Sequence, residues 1–328
     1  MSAVAALFVL IVLFFSGCDK SCNRPPANAP APSPTASSTE SPTPTATPTP
    51  PPLTRNFPCV SSTLVGTEFD YTPTKKESLH SISAKYGVDS KIIGDENGMS
   101  RFATVEPGDT VHIDNRHIAP CDISDGILVN LPQRMLFFFR DGKMETSYPV
   151  ADGKPDWETP TGVFKVLQLT KHPVWVVPKD IQDEMDLRGQ LVTEKVPPGP
   201  DNPLGDYWIG LSLPGIGIHA TNAPASIYSY RTHGCVRLQP DNAKDLFKRL
   251  KVGDRGMIIY EPVLFAKMAD GHVFIEVDRD IYDEGTNGMD EVKHISDSMA
   301  LSDLIDWHSA EEVVKRHDGL AHDVTAKK

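Results

Sequence analysis

The sequence predicts a mainly β protein, with a β domain over residues 124–262 preceded by a small βααβ unit over residues 66–120. Three observations carry this. From Ile127 onward, period-two and continuous apolar runs replace helical spacing, and Asp141-Gly142 lies between two such runs as a hairpin turn signal. Upstream, Leu79, Ile82 and Tyr86 stand at i, i+3 and i+7 ahead of Gly87, the pattern of a short helix with a glycine stop. Of the 328 residues 39% are hydrophobic and 23% charged, which suits a real core, yet 11 of the 29 prolines crowd between Pro25 and Pro52.

The chain begins with an unbroken apolar run, Ala3 to Phe15, ending at Ser16-Gly17-Cys18. That is the length of a signal-peptide core and short for a membrane span, so residues 1–18 are expected to be a signal peptide. Small residues ahead of the cysteine resemble the lipobox of bacterial lipoproteins, although Phe15 replaces the usual leucine and no Lys or Arg precedes the run. The resemblance implies lipidation of Cys18; the alternatives are an ordinary signal peptide or an uncleaved anchor. Each places the chain outside the cytoplasm, in a cell envelope.

Residues 19–56 are dominated by Pro, Thr, Ser and Ala and bury too little to offset ordering entropy, so they are expected to form a disordered tether. At ~3.1 Å per residue its central part would reach on the order of 90 Å. The formal net charge of -12 excludes nucleic acid as a partner. In an oxidising compartment Cys59 and Cys121, which bracket one compact segment, are expected to form a disulfide. Cys22 has no readable role.

Between Phe69 and Ile118 the order is strand, helix, helix, strand. Ser78 to Val88, Asn97 after the second helix, and Pro107-Gly108-Asp109 resemble LysM, a module that binds the glycan of peptidoglycan and chitin; Lys76-Glu77 departs from its usual Gly-Asp pair. Glycan binding is what the resemblance implies, against a purely structural spacer. Downstream, strands are expected at 127–131, 134–140, 143–150, 162–167, 207–211, 217–219 and 256–260, with one helix at 241–251. Phe137-Phe138-Phe139 is too apolar for a solvated strand and reads as core. Val174 to Pro203, long and Pro-rich, reads as a lid. Residues 263–328 are expected to add a hairpin around Asp270-Gly271 and then an acidic tail, with one short helix starting at the capping box Ser309-Ala310-Glu311-Glu312 and stopping at Gly319.

The chemistry concentrates in Gly217-Ile218-His219-Ala220-Thr221-Asn222 and Tyr230 to Leu238. A cysteine with two histidines nearby can act as a nucleophile, because an imidazole can take the thiol proton or stabilise the thiolate. If the second stretch is extended, His233, Cys235 and Arg237 share a face. Gly234 would then admit a substrate close to the backbone, and the Gly234 and Cys235 amides could cradle an oxyanion. Zinc on His219, His233 and Cys235 lacks a second nearby cysteine, so no metal and no cofactor is expected. A papain-like order would place cysteine before histidine, the reverse of what is seen. These residues alone leave a cysteine hydrolase or transferase of unknown substrate.

The combination goes further. His219-Ala220-Thr221-Asn222, Thr232-His233-Gly234-Cys235-Val236-Arg237-Leu238, Trp157 to Gly162 and Val196 to Gly205 resemble the L,D-transpeptidase (YkuD-type) family, with Ala220 for glycine and Thr232 for serine. The resemblance implies a peptidoglycan tetrapeptide donor, Cys235 as nucleophile on the third residue, and release of D-alanine. It makes His219 the general base, and His233 and Gly234 supporting catalytic residues. Arg237, Asn222 and Thr232 become substrate-binding candidates, Arg237 with a structural ion pair as its alternative. An amine of a second stem, or of an acceptor protein, would resolve the thioester. Two rivals remain: a carboxypeptidase or endopeptidase on the same scaffold, and a non-catalytic wall-binding lipoprotein.

Overall fold

The computed structural model describes residues 58–121, 123–285 and 288–327. The signal peptide, the tether, Cys18 and Cys22 lie outside the described residues.

The β domain is one nine-stranded sheet whose pairing closes on itself. The long strand Lys143–Gly153 closes it, pairing through its first half with Met135–Arg140 and through Val150 and Ala151 with Val236–Leu238. Gly162–Lys171 is the opposite corner. Its start pairs with Arg255–Ile259 and its end with Tyr207–Leu211, with a register shift between Val166 and Gln168. Strands that change partner midway let a twisted sheet wrap around a core without free edges. Asp141 and Gly142, at φ 51° and 69°, make the hairpin that the Asp-Gly pair calls for.

Alternation explains the apolar run. Phe138 faces the closed interior with Ile127, Val150 and Ile218. Phe137 and Phe139 face outward, but are buried under Ala84, Ala119, Ile227 and Tyr228. A strand covered on both faces reads as continuously apolar. Helix Pro240–Arg249 plugs the interior with Ala243 and Leu246. Cutting Leu246 to alanine would cost on the order of 2–5 kcal/mol as a buried cavity.

The upstream unit has strands Glu68–Tyr71 and Val111–Asp114 paired antiparallel around helices Leu79–Tyr86 and Ser90–Glu96. Ser78 caps the first helix by accepting from the Ser81 amide, and Gly87, at φ 74°, ends it. Asn97 ties the second helix to the strand. Its amide nitrogen donates to the Ile93 and His112 carbonyls, and its oxygen accepts from the His112 amide. Cys59 and Cys121 are joined, with Cα atoms 6.3 Å apart.

The C-terminal segment differs from the expected tail. Strands Val263–Lys267, Val273–Val277 and Ala321–Asp323 form a three-stranded sheet under helices Gly288–Ser298 and Trp307–Arg316. Val263, Phe265, Ile275, Val292, Ile295 and Val313 give this unit its own core. The acidic residues of these two helices lie toward their solvated faces, which is why composition alone suggested a tail. The last helix starts two residues before Ser309. Asp306 is its cap, accepting from the His308 and Ser309 amides, and His317 rather than Gly319 ends it.

Candidate active site

Parallel pairing of Gly217–His219 with Val236–Leu238 sets Ile218 opposite Val236 and His219 opposite Arg237. This brings His219 and Cys235, 16 residues apart in sequence, to the same cavity of about 850 Å³, which Thr232, His233 and Arg237 also line.

The stretch into Cys235 is not continuously extended. Strands Tyr230–Thr232 and Val236–Leu238 are separated by a turn in which Gly234 has φ 97°. A Cβ there would lie 3.1 Å from Ile216 Cδ1 and 3.3 Å from the Glu158 carbonyl. Glycine is therefore needed for backbone conformation and packing, and the room beside it is filled by protein, not left for substrate. Thr232 holds the turn. Its hydroxyl donates to the Cys235 carbonyl (2.6 Å) and accepts from the Gly234 amide (3.2 Å). The Gly234 N–H is thus taken, which corrects its expected place in an oxyanion hole, and Thr232 positions the loop although it was expected to bind substrate.

His219 is buried, and its Nδ1 lies 2.5 Å from the Ala220 carbonyl. A carbonyl only accepts, so Nδ1 carries the proton and Nε2 is left as a base. Burial, reinforced by the Arg237 charge and opposed by the Ala220 carbonyl, lowers its pKa to about 3. The imidazole is therefore neutral at any physiological pH. The Trp208 ring stacks on it at 6.0 Å and covers Gly217, where a Cβ would fall 2.3 Å from the indole.

The half-buried Cys235 thiol donates to the Gly215 carbonyl at 3.7 Å. Burial raises its pKa, against smaller lowering effects of the Gly217 backbone and Arg237. Thiol and imidazole are both neutral at rest, unlike a preformed thiolate–imidazolium pair. Arg237 Nη1 donates to Ser226 Oγ (2.8 Å), while its buried Nε has no partner among the described residues. Among the described residues no carboxylate pairs with Arg237, so the structural ion pair weighed for it is absent.

His233 Nε2 lies 2.6 Å from Glu184 Oε2, and the His233 ring sits edge-on to Trp157 at 4.7 Å. Glu184 also binds Lys154 (3.2 Å) and Arg188 (2.5 Å), and the hydrogen bonds from His233 and Lys154 lower its pKa. Glu184 belongs to helix Lys179–Leu187 of the segment read as a lid, a second helix beside the one expected within the β domain. Buried Asn202 anchors the lid base. Its amide nitrogen donates to the Pro173, Val196 and Pro197 carbonyls, and its oxygen accepts from the Leu204 amide. Asn222, expected to bind substrate, instead donates to the Pro200 carbonyl (3.3 Å) and does not line the cavity. Sequence reasoning missed Glu184, Lys154, Trp208 and Ser226. Only Trp208, two residues into a strand leading to the site, carried any signal, as a large aromatic where strand core needs none.

Residues 124–263 match the model of the YkuD family, described as the L,D-transpeptidase catalytic domain. The chain is 29% identical to the probable L,D-transpeptidase ErfK/SrfK of Salmonella typhimurium over 76% of this chain and 83% of that one. To its namesake in Escherichia coli it is 31% identical, over 69% of this chain and 74% of the relative. Among solved structures, an L,D-transpeptidase from Mycobacterium smegmatis is similar at 21% identity and a TM-score of 0.34, covering 48% of this chain and 65% of that one.

Proposed function

This chain belongs to the L,D-transpeptidase family, and from that premise we propose that it is a cysteine acyltransferase acting on peptidoglycan stem peptides, with Cys235 as nucleophile and His219 as base. The observation that carries the reading is the resting state of the pair: a neutral imidazole whose Nδ1 is held by the Ala220 carbonyl, sharing a cavity with a protonated thiol. The Cys235 proton passes to Nε2 as Sγ attacks the carbonyl carbon of the third stem residue. The oxyanion is met by the Arg237 guanidinium and the Cys235 amide. Collapse breaks the C–N bond, and the proton on Nε2 leaves with the D-alanine amine. An acceptor amine then attacks the thioester and gives its proton to Nε2, and the released thiolate takes that proton back.

Arg237 supports an anionic donor. A largely buried guanidinium without a carboxylate is costly, and a substrate carboxylate or developing oxyanion would supply the missing charge. His233, tied to Glu184, is a positioning residue that couples the lid to the loop of Cys235. Trp175, Ile181 and Met185 give the lid side of the cavity an apolar wall, which favours an amine over water as the resolving nucleophile. Glycan binding by the LysM-like unit, a lipid on Cys18, and placement in the cell envelope complete the proposal; they rest on the sequence resemblances.

The test is to incubate the full chain with a tetrapeptide muropeptide and an amine acceptor and weigh the products. Release of D-alanine with an acceptor-linked product is expected. Tripeptide alone would contradict transfer in favour of hydrolysis, and no release would contradict the catalytic reading.

A further inference from the structure

Away from the catalytic cavity, a polar cleft of about 300 Å³ opens where three parts of the fold meet. The upstream unit contributes His80 and Arg101, the β domain Arg134 and Arg231, and the C-terminal segment Arg279. Guanidinium groups cannot lose their charge, so four of them around one small cleft repel one another unless an anion is present. No carboxylate among the described residues lies at ion-pair distance from any of the four, whereas Arg188 has one and Arg116 and Arg249 have two each. The two acids on the cleft wall are engaged elsewhere. Asp89 accepts from the Lys91 amide as a helix cap, and Asp318 accepts from His322 and the Leu320 amide.

Arg134 is the innermost of the four. Its guanidinium lies 3.9 Å from the Tyr228 ring centroid, and Nη1 donates to the Tyr228 carbonyl at 3.3 Å. Among the described residues its buried Nε and the buried Tyr228 hydroxyl have no hydrogen-bond partner. A buried donor left unpaired is costly, and buried polar groups in folded proteins are seldom left so. The buried carboxyls of Asp152 and Asp278 feel the Arg134 charge but do not fill its open donor. Among the described residues neither carboxyl makes a hydrogen bond, and burial pushes both up while the Arg134 charge pulls them down. His80 senses the same field: burial, then the Arg231 and Arg101 charges, lower its pKa against the pull of Asp89.

Ser83, Ser90 and Ser229 add hydroxyl-bearing side chains to the cleft wall. Guanidinium groups without carboxylates, buried donors without partners and serines in the inner wall describe a site for something both anionic and rich in hydroxyls. The volume is at the small end of ligand sites and suits a single sugar, not a polymer segment. We propose that this cleft binds a small acidic carbohydrate, a monosaccharide unit bearing a carboxylate or a phosphate. The site is separate from the catalytic cavity and does not depend on the acyl-transfer reading.

Calorimetric titration of the full chain tests this with glucuronate, glucose 6-phosphate, inorganic phosphate and glucose. Arg101 and Arg279 are exposed and line no part of the catalytic cavity, so the double variant Arg101→Ala, Arg279→Ala leaves the fold and acyl-enzyme formation intact. An acidic sugar should bind where glucose does not, and the double variant should weaken it by about tenfold, the factor set by ~1.4 kcal/mol. Tighter binding of glucuronate would identify the carboxylate as the recognised group; tighter binding of glucose 6-phosphate, with inorganic phosphate competing, would identify the phosphate. The proposal is overturned if no anion binds at millimolar concentration, if glucose binds as well as the acids, or if the double variant binds unchanged.

Discussion

His219 in the catalytic cavity and His117 at the junction of the three parts are almost fully buried, at 4% and 1% exposure, yet they end in opposite charge states. His117 Nδ1 lies 2.8 Å from Glu276 Oε1, and its Nε2 lies 2.8 Å from the Gly87 carbonyl. A carboxylate and a carbonyl only accept, so both nitrogens carry protons. Burial alone would lower the pKa of His117, but the charge and hydrogen bond of Glu276, helped by the Gly87 carbonyl, leave it raised. Glu276 also accepts from the Ile118 amide and from Gln133. The His117–Glu276 pair therefore closes its charges internally. The cavity does the reverse: one histidine nitrogen is unprotonated, one arginine lacks a carboxylate, and one thiol is protonated. The pair satisfied within the protein helps hold the parts together, and the groups left open in the cavity face the substrate.

Breaking the cavity should have the largest effect on chemistry. Cys235→Ala should lower D-alanine release by at least on the order of 10⁴-fold, and His219→Ala by roughly 10²–10⁴-fold, with thermal stability nearly unchanged in the first. Release assays with melting curves check both; retained turnover in Cys235→Ala would end the catalytic assignment. Breaking the junction should show the converse. Glu276→Gln strands a buried imidazolium and should cost about 3–5 kcal/mol in denaturant unfolding while sparing turnover per folded molecule. A smaller effect is expected at the lid. Glu184→Gln weakens the tie to His233 and should slow turnover by about tenfold, the equivalent of ~1.4 kcal/mol in the barrier.

The same pair sets opposite pH limits on stability. His219, lowered to about 3, costs stability as pH falls below the unfolded value of ~6.5, because the unfolded chain takes a proton that the cavity refuses. His117, raised, contributes stability that is full below ~6.5 and is lost as pH rises through its folded value. Melting temperatures across pH should fall on the acid limb in a way that His219→Ala relieves, and on the basic limb in a way that His117→Phe removes.

The strands of the β domain were legible because alternation and Asp-Gly turns are local signals, and the nucleophile and base lie within one short stretch. The extended reading of Tyr230 to Leu238 failed at Gly234, whose positive φ turns the chain before Cys235. Helix Lys179–Leu187 has no buried residue and carries only Ile181 and Met185 on its cavity face, too short an apolar stripe to mark a helix. Glu184 meets His233 across 49 residues, a contact set by tertiary folding alone. The C-terminal core was hidden because Val292, Ile295, Ala310 and Val313 are spread thinly among acidic positions.

The central claim is that Cys235 and His219 rest as a neutral thiol and a neutral imidazole. It is tested most directly by following acylation of Cys235 by a tetrapeptide donor, through intact mass, from about pH 4.5 to 7.5. With the imidazole lowered to about 3 and the thiol raised, the rate should show no titration limb across this range. A sigmoidal fall centred near the ordinary histidine value of ~6.5, or an adduct on any residue other than Cys235, would contradict the account.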